Sequence, residues 1–583
     1  MECPAITPAA LGPQHQLKLF TQAGYLPGLP VLVRVEVRNA QGGRERALWD
    51  ADADLSADNG MTLSTNRVRL YNGLGSSLVT LSGGGDFTLT ATVGRLQASR
   101  ALVSLANAPV TAVGGTLPGA STTWRGVVQV TNEVTVPAGH SLTLESNTLV
   151  LVNGTNTGTA GVDLQINGSI QSLGTEEHPV TLTCAQPAAN LRWGQIRHNT
   201  AQPSLYRHTS ITRGGRAPGE GHTGTAPVIR PTNSRIVFES CNFTDYAELS
   251  RSASGFGTPG KVMEANGSDI VFNDCLLARA RMGPEVGSTA MLCTNTWIVQ
   301  MPGPDDADGI YVHTQSGGQQ VLFTSCVIAD GDDDGIDTLG STITVEDCII
   351  RDWDNRLEDA KGISVFNGAT IVRRSLIVDS TVGIAAKWSG GAPTLVTIDR
   401  CTLTGNLTNV WANHKDNAPG PFIDYRITNS VLWGGYPVQS DFSPTNFTIG
   451  YCDISQSWPG TGNLQAEPMF VNTAAHDFRL QPFSPGIDTG DPTSPPDPDG
   501  SPVDLGCFTF LPPVPRLSQP QQLPPNAFQF LLTAYTNRNY VIEVSTHLPA
   551  WSALATNFQS SPTLSIQDSA RDAERFYRAR LAP

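Results

Sequence analysis

Between residues 305 and 361, a chain with only 15% charged residues gathers Asp305, Asp306, Asp308, Asp330, Asp332, Asp333, Asp334, Asp337, Asp347, Asp352, Asp354, Glu358 and Asp359. Part of this set is organised by a recurring x-Gly-Ile step: Asp308-Gly309-Ile310, Asp334-Gly335-Ile336 and Lys361-Gly362-Ile363, then Val382-Gly383-Ile384. If each Ile turns inward in successive coils of a repeating structure, Asp308, Asp334 and Lys361 fall in one column. Carboxylates about 4.8 Å apart, with Asp333 and Asp337 beside them, repel one another unless a proton or a cation intervenes. Calcium suits the set, because it takes about six to eight oxygen ligands in flexible geometry. The expected metal ligands are therefore Asp308, Asp333, Asp334 and Asp337. Lys361, one coil on, lies within reach of whatever such an ion binds. A uronic acid held by its carboxylate on calcium has a more acidic C5 proton, since the ion stabilises the enolate-like charge that develops. A lysine whose pKa is lowered by the dication and by partial burial can remove that proton. Lys361, with Asp334 beside it, is the expected catalytic pair.

Sugar contacts are expected on the same face. Tyr311 and His313 follow the first Gly-Ile step and Lys387 follows the fourth, with Trp353, Arg356 and Trp388 in nearby loops. Aromatic rings stack on sugar faces, and Arg and Lys pair with uronate carboxylates.

The elements that must position these residues come from a repeat. The pattern polar, Cys/Ser/Thr, any, apolar recurs at Cys241, Cys275, Thr296, Cys326, Cys348, Ser375, Cys401, Ser430 and Cys452, in steps of 34, 21, 30, 22, 27, 26, 29 and 22 residues. Variable insertions around a fixed small residue are the mark of a solenoid whose loops differ while its coil stays constant. Around the marker the strands repeat as well: IVFESCNF, IVFNDCLL, VLFTSCVI, ITVEDCII, TIVRRSLI and VTIDRCTL. The small residues are expected to fill a tight interior corner, so the cysteines are read as buried structural thiols. No disulfide is expected, and no C-x-x-C pair or Cys/His cluster at zinc spacing occurs.

The segments from WRGVVQVTNEV to PVTLTC and from NLQAEPMF to PVDLGCF resemble the opening and closing coils of bacterial right-handed β-helix proteins. The fold expected is all-β: a right-handed parallel β-helix over 107–510, flanked by an immunoglobulin-like β-sandwich over 1–106. A Pro-rich linker over 511–525 leads to a small C-terminal β-module over 526–583.

Composition narrows the partners. With 37 basic against 52 acidic residues and a formal charge of −15, the chain has no basic face for nucleic acid. No run of about 18 apolar residues could span a bilayer. The opening Met1-Glu2-Cys3-Pro4 carries neither a basic n-region nor an apolar h-region, so a secreted or cell-surface location is expected from the architecture alone. A monomer acting on an acidic polysaccharide is the expected state.

ADGIYV (307–312), DDDGIDTLGS (332–341) and AKGISV (360–365) together resemble family nine of the polysaccharide lyases. These are β-helical pectate lyases in which an A-D-G coil and a D-D-G-x-D coil hold calcium, and a lysine in a later coil is the base. The resemblance spans about 60 residues and implies Asp308, Asp333, Asp334 and Asp337 as ligands and Lys361 as base. It departs at Ile336, where that family often has an aromatic residue. Two other classes stay open. One is an inverting glycoside hydrolase using Asp308, Asp333 and Asp334, which lacks the Gly-His-Gly and Arg-x-Lys motifs of the polygalacturonases. The other is a noncatalytic surface or polysaccharide-binding β-helix with a structural calcium site.

Overall fold

The computed structural model describes residues 7–582, leaving out 158–160, 189, 247–258, 304–305, 316–317, 355–359, 415–421, 442–445, 512–514, 525–526, 535–537, 549, 562 and 570–573. Described residues form strands and turns, with two short 3-10 segments and no α-helix. The centre is a parallel solenoid running from the strand Val110–Thr116 to the strand Asp453–Ile454. Each coil contributes three strands. One row forms a 13-stranded parallel sheet, and the other two are hydrogen-bonded through a shared corner into a 25-stranded sheet.

Strand alternation fixes what lies inside. In the 13-stranded sheet Tyr206, Phe238, Phe272, Cys293, Phe323, Val345, Val372, Ile398 and Ile427 are register partners coil after coil, and all are buried. Their rings stack along the axis, Tyr206 on Phe238 at 5.0 Å and Phe238 on Phe272 at 5.1 Å. Each fully buried Phe or Ile contributes about 1.5–3 kcal/mol, so the interior column is a principal source of cohesion.

The small-residue corner is built as the spacing predicts, and its chemistry is now visible. Cys241, Cys275, Cys326, Cys348, Cys401 and Cys452 are buried free thiols. Each donates to a carbonyl two residues back, as Cys452 Sγ does to Gly450 O at 3.3 Å. Where a hydroxyl takes the place it also accepts an amide from the preceding coil, as Ser375 Oγ does from Cys348 N at 3.1 Å. The polar residue just before the marker turns the chain. Ser240, Asp274, Asn295, Ser325, Asp347, Arg374, Arg400, Asn429 and Tyr451 all have φ between 45° and 61°. Asn and Asp tolerate this left-handed region best, which is why they recur there. Arg279, Gln300, Asp330, Asp352 and Asp379 do the same at the second corner. Asp330, Asp347 and Asp352 are thus corner residues, and the acid-rich stretch divides into turn formers and a separate acidic column.

The row Leu276–Ala278, Trp297–Met301, Val327–Gly331, Ile349–Trp353 is apolar on its outer surface because other parts of the chain cover it. Residues 16–104 form an antiparallel sheet, closed at one edge by a short parallel pairing of Gly24–Tyr25 with Val103–Ser104. Its Ala47, Trp49, Tyr71 and Leu74 pack with Leu276, Trp297, Val327 and Ile349. Arg351 is buried in this contact, pairing with Asp50 at 2.8 Å and lying 4.6 Å from the Trp49 ring centre. After Ile454 the coil ladder stops. A hairpin of Phe470–Asn472 with Asp477–Leu480 and the segment to Phe508 close the same apolar surface. Strands from Arg516–Leu523 to Phe576–Leu581 form two small antiparallel sheets with their own core around Phe530, Leu532 and Ile542.

Candidate functional site

The row that follows the covered one around the second corner of each coil carries the acidic column. Ile310, Ile336, Ile363 and Ile384 are register partners in four successive coils and fully buried, so the Gly-Ile step marks the same place in each. Glycine is obligatory there because the next coil's backbone presses on it. A Cβ at Gly309 would lie 2.4 Å from Gly335 O, one at Gly335 2.5 Å from Gly362 O, and one at Gly362 2.8 Å from Gly383 O. Asp334 and Lys361 are register partners, and the amide of Gly309 donates to Asp334 O at 2.8 Å, which places Asp308 beside Asp334.

The geometry joins most of the expected residues. Lys361 Nζ lies 3.2 Å from Asp334 Oδ1, with both side chains buried. Lys387 Nζ stands 3.9 Å from Asp337 Oδ1. Asp333 Oδ2 accepts the amide of Asp306 at 2.7 Å. Burial, and then the charges of Asp333, Asp337, Asp334 and Asp306, push the Asp308 carboxyl far above the ordinary range. Burial also raises Asp334, against the pull of Lys361 and Lys387. The column therefore holds more negative charge than its two lysines balance, and the surplus calls for a proton or a cation.

The aspartates are oxygen donors of the kind a hard cation takes. Among the described residues, the one grouping of three or more metal-ligating side chains with donor atoms within 4.8 Å of one another is a different one, Glu264, Glu285 and His313. The four aspartates are not such a grouping, so their donor atoms are spread more widely than those of the trio. The tighter trio is already served by an internal cation. Lys261 Nζ donates to Glu264 Oε2 at 2.8 Å and, more closely still, to Glu285, and all three side chains are buried.

The trio was not foreseen. Its signal is Gly283, which occupies the glycine column but is followed by Pro284 instead of Ile. Glu264, Glu285, Tyr311, Asp337 and Ser364 form one outward column, so the trio belongs to the same face as the aspartates. Burial raises the Glu264 carboxyl. Burial also opposes ionisation of Glu285, but His313, Lys261 and the His222 amide together hold it low. Over this pair lies the turn Glu220–Thr225. His222 N donates to Glu285 Oε1 at 2.7 Å, and Lys261 Nζ donates to Glu220 O at 2.9 Å.

The rings of Tyr311 and His313 stack at 5.0 Å, with Tyr311 buried. Two expected sugar contacts are corrected. Trp353 is 0% exposed and fills the interior beneath the glycine column, its Nε1 donating to Ile328 O at 3.2 Å. A Cβ at Gly331 would sit 2.0 Å from that ring, so Trp353 is a core side chain with no face for a ligand. Trp388 is 7% exposed and belongs to the interior cluster, with the exposed Phe422 packed edge-on against it at 5.1 Å. Arg356 lies outside the described residues, as do Asp305, Glu358 and Asp359.

A family model described as right handed beta helix region matches residues 222–396, the coils that carry both clusters. No curated protein and no solved structure matches the chain. With its closed parallel ladder, the chain is a right-handed parallel β-helix protein. Among the described residues no helix is long and apolar enough to cross a membrane.

Proposed function

We propose that this protein is secreted or displayed at the cell surface and cleaves a uronic-acid-containing polysaccharide by β-elimination at the acidic column. The observation that carries the reading is Lys361 Nζ at 3.2 Å from Asp334 Oδ1, in register with a column whose carboxylates outnumber its lysines. Asp308, Asp333, Asp334 and Asp337 would hold calcium, which supplies charge stabilisation for the substrate carboxylate as its α-carbon loses a proton. Lys361 removes that C5 proton. Asp334 fixes where Nζ stands, with both side chains buried. Lys387, beside Asp337, is placed to pair with a second carboxylate of the polymer.

The test is incubation of the full chain with polygalacturonate, alginate and a neutral glucan, with calcium and with chelator. Calcium-dependent growth of the absorbance of an unsaturated uronate is the expected result. Reducing ends formed without that absorbance and without a metal requirement would identify a hydrolase instead, and neither signal on any polymer would leave a noncatalytic β-helix.

A further inference from the structure

The Glu220–Thr225 turn is held far more firmly than its length requires. Glu220 and Thr225 bridge across it, Arg230 Nε pairs with Glu220 Oε2 at 2.5 Å, and Thr223 Oγ1 reaches Met282 Sδ at 3.7 Å. Beneath it lie the Lys261, Glu264 and Glu285 charges. Gly221, at φ 68°, sits so close that a Cβ there would stand 2.3 Å from Glu264 Oε2 and 2.4 Å from Glu285 Oε1. Buried ion pairs add little net stability, because desolvation offsets the attraction, but they fix geometry strongly. What this arrangement fixes is His222. Its amide is bound by Glu285, its Nε2 lies 3.1 Å from Asp306 Oδ1, and its ring lies 5.2 Å from that of Tyr311 at 38°. The Asp306 amide in turn donates to Asp333 Oδ2, so the anchor of the imidazole is tied to the acidic column.

The three rings His222, Tyr311 and His313 form a step of which His222 is the open edge: its side chain is 51% exposed, whereas Tyr311 is 4% exposed. A ring held rigidly and left open beside the acidic column has the properties of a sugar platform, an apolar face with hydrogen-bonding edges. With Nε2 committed to Asp306, Nδ1 of the neutral ring accepts from a ligand hydroxyl, and in the protonated ring it donates to a hydroxyl or carboxylate.

We propose that the Glu220–Thr225 turn is a substrate-binding wall, and that His222, backed by Tyr311 and His313, seats the pyranose ring next to the one over the aspartates. This rests on the polysaccharide reading above, and adds a subsite and a positioning residue to it.

The experiment is retardation of the full chain in native gels containing polygalacturonate or alginate with calcium, for the parent, His222→Ala and His222→Phe, alongside their thermal midpoints. A platform predicts that His222→Ala weakens retardation about tenfold at an unchanged midpoint. His222→Phe, which keeps a ring, is expected to retain most of the binding. Parent-level binding by His222→Ala overturns the subsite and leaves the elimination chemistry standing. Equal losses in His222→Phe and His222→Ala overturn the stacking role. Binding of neither polymer by the parent overturns the subsite together with the substrate class on which it rests.

Discussion

Two lysines on one face of the solenoid meet carboxylates in opposite ways. Lys261 and Lys361 each stand three residues before the outward column of Glu264, Glu285, Tyr311, Asp337 and Ser364. Around Lys261 the charges close on themselves: one ammonium serves two glutamates, one of which burial drives toward its protonated form, and a turn seals the pair. Around Lys361 the carboxylates crowd one another: burial and the charges of Asp333, Asp337, Asp334 and Asp306 push Asp308 far up, while Lys361 and Lys387 stand beside Asp334 and Asp337. The same register thus produces a covered clamp in one place and a crowded acidic column some coils later. The difference lies in how closely each ammonium meets its carboxylates, and in whether a turn covers them.

The sharpest way to break this comparison is to remove each lysine. Lys361→Ala is expected to lower polyuronate turnover by about 10²–10⁴-fold while a calcium-induced rise in melting temperature persists. Parent-level turnover would give the base role to another group. Lys261→Ala strands two buried glutamates, so denaturant unfolding should show a loss of about 3–5 kcal/mol that calcium does not restore. If calcium did restore it, the Glu264–Glu285–His313 trio would be the metal site after all.

Calcium titration of the melting temperature sharpens the contrast further. At a hundredfold excess over its dissociation constant the ion should add about 2.7 kcal/mol to the stability of the parent. Asp308→Asn and Asp337→Asn are expected to abolish that gain, and Glu285→Gln to leave it in place. The smallest effect concerns Glu264. Because burial raises its folded pKa, the folded state binds a proton that the unfolded state has released, so its favourable contribution is complete below about pH 4.3 and is lost as pH rises through the raised value. Glu264→Gln, fixed in the protonated shape, should therefore match the parent in acid and exceed it modestly near neutrality, as read by thermal midpoints across that range. A difference that stays constant with pH would show that folding leaves the Glu264 pKa unshifted.

Much of this was legible because a solenoid writes its register into the chain. The Gly-Ile steps placed Asp334 against Lys361, and the Cys/Ser/Thr marker located the interior corner, because both features answer to the coil directly above or below. Trp353 misled for the same reason that it is interesting: a tryptophan in an acid-rich stretch looks like a ligand contact, yet three glycines at 309, 331 and 335 leave room for its ring inside. Asp330, Asp347 and Asp352, outside the expected ligand set, serve the left-handed corners, a role that composition alone does not reveal.

The sequence by itself determined the solenoid, its coil register and the column joining Asp308, Asp334 and Lys361, because strand alternation, small corner residues and glycines under backbone pressure are conditions on neighbouring coils only. Tertiary structure alone decided which face stayed open and how its walls were built. Residues 16–104 and the closing segment cover one apolar row through contacts such as Arg351 with Asp50, and His222 reaches Asp306 across 84 positions. Such pairings depend on how insertions of different length fold back over the coil, and no local period in the chain records that.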